Sequence, residues 1–194
     1  SVWTTFTKLY GTPNNIGHSS ICADASKKAR LCIDGTDDYC AYDWENCNYV
    51  LNFGGATLEA WRPTNLMLQR WAHMRRGRPV RAKQVMVDTR FSTTAIKADE
   101  WLPVKPGTDG ALALGIAHVI LTEGLWDRSF AGDFKEKGKK FNSGETVSKE
   151  DFEEIWTFGL IDWWNNVLKD FNANKASEIT GIPAEKITRI AEEF

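Results

Sequence analysis

The clearest pattern of apolar and polar positions begins at residue 49. Tyr49-Val50-Leu51-Asn52-Phe53 is a short apolar run cut off by Gly54-Gly55, the length of a buried strand and too short for a helix. Thr57 to about Arg76 then reads as a helix, stopped by Gly77-Arg78-Pro79. Lys83-Gln84-Val85-Met86-Val87 makes a second buried strand, with Asp88-Thr89-Arg90 at its carboxyl end. Residues 98–104 form a third extended segment, closed by Lys105-Pro106-Gly107, and Thr108 or Asp109 caps an apolar helix that runs to about Leu121. The remainder, from Asp127, reads as helical, with an apolar face over Glu150 to Asp170 broken by Gly159, and Gly181-Ile182-Pro183 ends one short helix and starts another.

Strands alternating with helices predict an α/β fold: a three-layer, mainly parallel, Rossmann-like sheet of strands 49–53, 83–88 and 99–104 with helices on both faces. Such sheets bind ligands at the carboxyl ends of their strands. Gly54-Gly55, Asp88-Thr89-Arg90 and Gly107-Thr108-Asp109 all fall there. A glycine pair lets a phosphate approach the backbone and a helix N-terminus, while a carboxylate can accept from ribose hydroxyls or a guanine edge. Arg90 can stack on a base or neutralise phosphate. Each feature has a plainer use: Gly54-Gly55 lacks the full dinucleotide fingerprint, Asp109 can be a helix cap, and Asp88 and Arg90 can pair with each other. Only their convergence on one rim points to a nucleotide-bearing ligand.

Residues 1–48 are different in kind, rich in Gly, Asn, Ser and Asp, with helical turns expected over Cys22 to Arg30 and Asp37 to Asn46 and no strand. This loop-rich segment is separated from an α/β ligand-binding domain at 49–194 whose last part is helical. The composition, 42% hydrophobic and 26% charged, is that of a globular protein. A net charge of −2 supplies no basic field for nucleic acid, and no apolar run approaches a bilayer-spanning length. The four cysteines, at 22, 32, 40 and 47, are spaced too irregularly for a zinc ribbon or an iron–sulfur ligand run. Three of them read as buried thiols. Both ends cut through a phrase, so the chain is expected to be an internal piece of a longer one.

The phrases Val87-Asp88-Thr89-Arg90, Thr93-Thr94-Ala95, Ala98-Asp99-Glu100-Trp101-Leu102, Pro106-Gly107-Thr108-Asp109-Gly110-Ala111-Leu112 and Ile179-Thr180-Gly181-Ile182-Pro183-Ala184, in that order, resemble the dimethyl sulfoxide reductase family of molybdopterin enzymes. The resemblance implies a bis(molybdopterin guanine dinucleotide) cofactor with molybdenum, one arm of which is lined by Gly54, Gly55, Glu59, Asp88, Arg90, Gly107, Thr108 and Asp109. It also implies a 4Fe-4S cluster in a segment preceding this one, an iron–sulfur electron-transfer subunit as partner, and a periplasmic location. His18-Ser19-Ser20-Ile21-Cys22 resembles the polysulfide, thiosulfate and arsenate reductase type, in which the matching cysteine binds molybdenum. Lys27 and Tyr39 resemble positions that hold a tetrahedral oxyanion, the lysine as a point charge and the phenol as a donor. Lys27, Lys28 and Arg30 also fit a solvated helix face. The implied activity is oxygen-atom transfer in anaerobic respiration, with arsenate as substrate. Polysulfide or thiosulfate reduction and a non-catalytic scaffold of the same fold are the alternatives, and a dinucleotide-binding dehydrogenase lacks its glycine motif.

Overall fold

A computed structural model describes residues 2–15 and 22–194. The chain divides into two compact units, residues 1–43 and residues 44–194.

The first unit contains helix α1 (Val2–Tyr10) and helix α2 (Asp24–Asp34). Gly35 ends α2 in the left-handed conformation and returns its N–H to the Leu31 carbonyl. The chain after Gly35 is then tied back onto α2. Lys28 Nζ pairs with Asp37 at 2.5 Å, and Arg30 reaches both Asp34 at 2.8 Å and the Asp38 carbonyl at 2.8 Å. The helical turns expected over residues 37–46 do not form, because Asp34 and Asp38 side chains accept the N–H groups of Thr36 and Tyr39 and hold this stretch as turns.

The second unit is built on a parallel three-stranded sheet of β1 (Tyr49–Phe53), β2 (Lys83–Val87) and β3 (Glu100–Leu102), in that order across the sheet. Tyr49 pairs with Lys83 and Val87 with Leu102, so all three strands point their carboxyl ends to one edge. The central strand is covered on both faces. Val85 and Val87 join Leu102, Leu112, Ile116, Ile187 and Ile190 in a core formed with helices α5 (Asp109–Glu123), α8 (Ala173–Thr180) and α9 (Ala184–Glu193). On the opposite face Gln84 accepts a hydrogen bond from Trp71 Nε1 of α3 (Thr64–Arg76), whose Met67 and Met74 pack with Trp44 and Ala82. Period-2 alternation therefore sends Gln84 and Met86 to one layer and Val85 and Val87 to the other.

Two helical expectations are corrected. The helix expected from Thr57 begins at Thr64, because Pro63 has no N–H to give and its ring excludes the preceding turn. Residues 57–61 instead form a turn in which Ala60 and Trp61 both donate to the Ala56 carbonyl. Nor is the chain from Asp127 helical throughout. After β3, a short α4 (Thr93–Lys97) having preceded it, the single turn α6 (Arg128–Ala131) gives way to an antiparallel ribbon, β4 (Gly132–Phe134) with β5 (Phe152–Glu154). A Cβ on Gly132 would stand 1.8 Å from the Glu153 carbonyl oxygen, so the two strands meet only because this residue has no side chain. Trp126, Phe134, Phe141 and Phe152 fill the space behind the ribbon, and helix α7 (Leu160–Asn166) adds Trp164 to the same cluster. Aromatic packing between segments distant in sequence has overridden the local helical period. No helix among the described residues is long and apolar enough to cross a membrane.

The amino ends of β2 and β3 are locked by one carboxylate. Asp99 accepts the Gln84 N–H at 2.8 Å and is held by the forked guanidinium of Arg75, which also donates to the Ala82 carbonyl at 2.9 Å, and by Arg81 at 2.8 Å. Burial pushes the Asp99 carboxyl up, but hydrogen bonds from Arg75 and Gln84 and the nearby positive charges outweigh it and hold it below the ordinary carboxylate value. A depressed folded-state pKa contributes stability that is present above the unfolded value and disappears as pH falls through the folded one. Asp99→Ala leaves the Arg75 guanidinium buried without its partner, and a loss of about 3 kcal/mol is expected at neutral pH. In urea unfolding followed by tryptophan fluorescence, the gap between wild type and variant should narrow as the pH drops below the carboxylate range. A variant with the wild-type midpoint at pH 7 would remove Asp99 from this role.

Candidate cofactor site at the strand ends

At the carboxyl end of β1 the chain turns sharply through Gly54-Gly55. Gly54 donates its N–H to the Val87 carbonyl at 2.8 Å, placing the glycine turn directly beside the end of β2. The turn is fastened by Asn52, whose amide accepts the Gly55 N–H at 2.9 Å and donates to the Gly55 carbonyl at 2.7 Å. A Cβ on Gly55 would lie 2.6 Å from the Asn52 oxygen, so this glycine makes room for its own clamp. Gly54, at φ 66°, has open space where its Cβ would be. The Thr57 hydroxyl that follows is buried and has no hydrogen-bond partner among the described residues.

Beside it, Asp88 accepts the Arg90 N–H at 3.0 Å, and its own carbonyl receives Trp101 Nε1 at 2.8 Å. The Arg90 side chain does not pair with Asp88; it reaches back across the rim to Glu59 at 2.9 Å. Glu59 also accepts the Thr93 N–H at 3.1 Å, and Thr94 Oγ1 accepts the Leu58 N–H at 3.2 Å. These two links bind the turn after β1 to the start of α4. Hydrogen bonding from Thr93, opposed by burial and reinforced by the Arg90 charge, holds the Glu59 carboxyl below its ordinary value. Glu59 is therefore an anion whose job is to place Arg90.

The third strand end carries Gly107-Thr108-Asp109 into α5. Gly107, at φ 78°, also faces open space. Thr108 spends its hydroxyl on the Lys105 carbonyl at 2.7 Å and gives no side-chain cap. Asp109 is the first residue of α5, and its carboxylate accepts no hydrogen bond from the described residues. The plain helix-cap reading is thus not what either side chain does. The parallel register brings all three strand ends to the same edge of the sheet.

This edge fits a nucleotide-bearing group on its own evidence. It offers two glycine faces that any side chain would fill, a buried hydroxyl without a partner, an uncommitted carboxylate and the N-terminus of a fifteen-residue helix. The sequence pattern located seven of the eight candidate residues by their place at strand ends, Glu59 coming from the resemblance. It missed Asn52, Thr57 and Thr93, although an asparagine two positions before a glycine pair is a detectable turn signal.

In the first unit the structure brings Lys27 and Tyr39 together, the ammonium lying 4.6 Å from the ring centroid. The neighbouring cations are occupied, Lys28 with Asp37 and Arg30 with Asp34, whereas Lys27 is in no ion pair among the described residues. Lys27 is half-buried, as is Arg30, so the solvated-face reading holds for Lys28 alone of the three. Cys22 stands exposed just before α2; the His18 to Ile21 part of its phrase lies outside the described residues. The expectation of buried cysteines is corrected: Cys32 is also exposed, and Cys40 and Cys47 are half-buried, Cys47 donating to the Trp44 carbonyl at 3.2 Å.

Residues 3–181 match the family model described as molybdopterin oxidoreductase. The chain belongs to the molybdopterin oxidoreductase family. Among its relatives, the arsenate respiratory reductase molybdopterin-containing subunits of Shewanella sp. (strain ANA-3) and of Chrysiogenes arsenatis are each 44% identical over 188 residues, 97% of this chain and 22% of theirs. The thiosulfate reductase molybdopterin-containing subunit of Salmonella typhimurium is 27% identical over 185 residues, covering 95% of this chain and 20% of that one. Among solved structures, acetylene hydratase from Pelobacter acetylenicus superposes with a TM-score of 0.67 at 25% identity, over 100% of this chain and 22% of that one. The chain thus spans about a fifth of the length of the molybdopterin oxidoreductases it matches.

The Asn52 clamp is open to test. Asn52→Ala leaves the N–H and C=O of buried Gly55 without partners, and a cost of about 2 kcal/mol in unfolding free energy is expected. Chemical denaturation measures this, and a cost within error of zero would show that the turn is held by something else.

Proposed function

We propose that this chain supplies one pterin-dinucleotide cradle and the substrate-facing residues of a molybdenum oxidoreductase that reduces a small oxyanion, arsenate being the favoured substrate. The observation that carries this reading is the unpaired Lys27 ammonium set against Tyr39, in a chain 44% identical along nearly its whole length to arsenate respiratory reductases.

Gly54 and Gly107 would let the phosphates of a molybdopterin guanine dinucleotide approach the backbone, Gly55 making room for the Asn52 clamp that shapes the turn, with the α5 N-terminus adding partial positive charge. Asp88 and Asp109 would accept from ribose hydroxyls or the guanine edge, Thr108 would line the same turn, and Arg90, positioned by Glu59, would face phosphate or base. Cys22 would hold molybdenum through its sulfur, a soft ligand suited to that metal. The bound group supplies two-electron chemistry for oxygen-atom transfer. Lys27 attracts and orients the oxyanion as a fixed charge, and the Tyr39 phenol donates a hydrogen bond to it. The wider assignment places the parent protein in anaerobic respiration in the periplasm, with a second dinucleotide arm, a 4Fe-4S cluster and an iron–sulfur subunit as electron partner. Thiosulfate reduction is the second reading, favoured by the relative that matches 95% of this chain.

In the full-length parent protein, Cys22→Ala is expected to abolish or change the molybdenum signal in electron paramagnetic resonance. Lys27→Ala should leave that signal intact while raising KM for arsenate roughly tenfold, the scale of one lost positioning charge, with Lys27→Arg recovering part of it. An unchanged spectrum in Cys22→Ala would remove the ligand assignment. Turnover of thiosulfate but not arsenate by the wild-type enzyme would move the substrate to the second reading.

A further inference from the structure

At the amino edge of the sheet, away from the strand-end rim, a cavity of about 470 Å³ opens between the last turns of α3, the segment leading into β2 and the junction of α4 with β3. Four of its lining side chains are cations: Arg75, Arg76, Arg81 and Lys97. One carboxylate, Asp99, stands among them, and the half-buried Trp71 adds apolar wall. Three of the cations have a local reason to be where they are. Arg75 and Arg76 close α3 and Lys97 closes α4, and helix C-termini favour positive charge. Arg81 is on neither helix, and nothing local explains why all four line the same space.

The single carboxylate is already fully engaged. Asp99 takes both terminal nitrogens of Arg75, one of Arg81 and the Gln84 N–H. Four cations against one carboxylate leave three positive charges on the cavity. Arg81 gives Asp99 only one nitrogen, so the rest of its fork is uncommitted. Arg76 and Lys97 are exposed and make no ion pair or side-chain hydrogen bond among the described residues. Elsewhere exposed cations pair with nearby carboxylates, as Arg128 does with Asp133 and Lys149 with Asp162. Like charges gathered around one cavity repel, an arrangement that a bound anion reverses.

We infer that this cavity binds a small polyanion carrying two linked phosphate groups, as in pyrophosphate or the diphosphate end of a nucleotide. Guanidinium forks match phosphate oxygens in pairs, and a lysine adds a point charge. The volume is that of a small-molecule site and exceeds what one tetrahedral oxyanion fills. A monoanion would balance one of the three charges, whereas two linked phosphates carry enough at neutral pH to balance them all. The site uses no residue of the strand-end rim and does not involve Lys27. It does share Arg75 and Arg81 with the Asp99 clamp, so a bound diphosphate joins α3, the entry to β2 and the end of α4 and stabilises the folded state.

The test is calorimetric titration of the full-length, cofactor-loaded parent protein, without magnesium, with pyrophosphate and separately with orthophosphate and ADP. Pyrophosphate should bind and raise the unfolding midpoint, with orthophosphate at least tenfold weaker. ADP bound more tightly than pyrophosphate would make the ligand a nucleotide, and equal or weaker binding a bare polyphosphate; both support the diphosphate site. The double variant Arg76→Ala with Lys97→Ala leaves the Asp99 clamp intact, since both side chains are exposed and outside it. It should keep the ligand-free unfolding midpoint, weaken pyrophosphate at least tenfold and lose the ligand-induced rise. Lys27→Ala should bind pyrophosphate as the wild type does, which separates this site from the proposed substrate site. Absence of pyrophosphate binding, equal affinity for orthophosphate, affinity unchanged in the double variant, or affinity lost in Lys27→Ala would overturn the assignment.

Discussion

Everything at the ligand-facing edge depends on how the opposite edge is clamped. Parallel strands have no hairpin to set their register, so the alignment of β2 with β3 must come from elsewhere. Asp99 provides it: its carboxylate takes the Gln84 N–H while its own N–H donates to the Gln84 carbonyl at 2.8 Å, and the Arg75 fork ties both to α3. The charge is affordable there only because every oxygen is matched by a donor. Val87 lies three residues beyond Gln84, so the clamp fixes the rim from roughly 10 Å away. A one-residue slip would turn Val85 and Val87 out of the α5–α9 core, and would carry Asp88 away from Trp101.

At the other edge, holding and binding are divided between different atoms. The turn after β1 is held by groups that face inward or along the rim: Asn52, Thr94 and the Thr93 N–H on Glu59. What faces outward is left unfilled, at Gly54, Gly107 and the Asp109 carboxylate. Arg90 belongs to both groups. Its pair with Glu59 is open to solvent on the arginine side and weakly held in water, so the guanidinium is placed without being consumed.

The parts of this arrangement that were legible in the sequence are those governed by local rules. Tyr49–Phe53 and Lys83–Val87 are apolar runs bounded by glycine, proline or charge; the second is buried as the middle strand of the parallel sheet, and the first, at the sheet edge, is only half-buried. Their ends could be read because a strand's carboxyl end is simply where the run stops. Non-local packing decided the rest. Phe134 and Phe152 are eighteen residues apart in a stretch with helical periodicity, yet they face each other at 5.1 Å because Trp126 and Phe141 complete the cluster. The proximity of Lys27 to Tyr39 rests on Arg30 and Lys28 folding the loop 34–38 back onto α2, which no spacing rule anticipates.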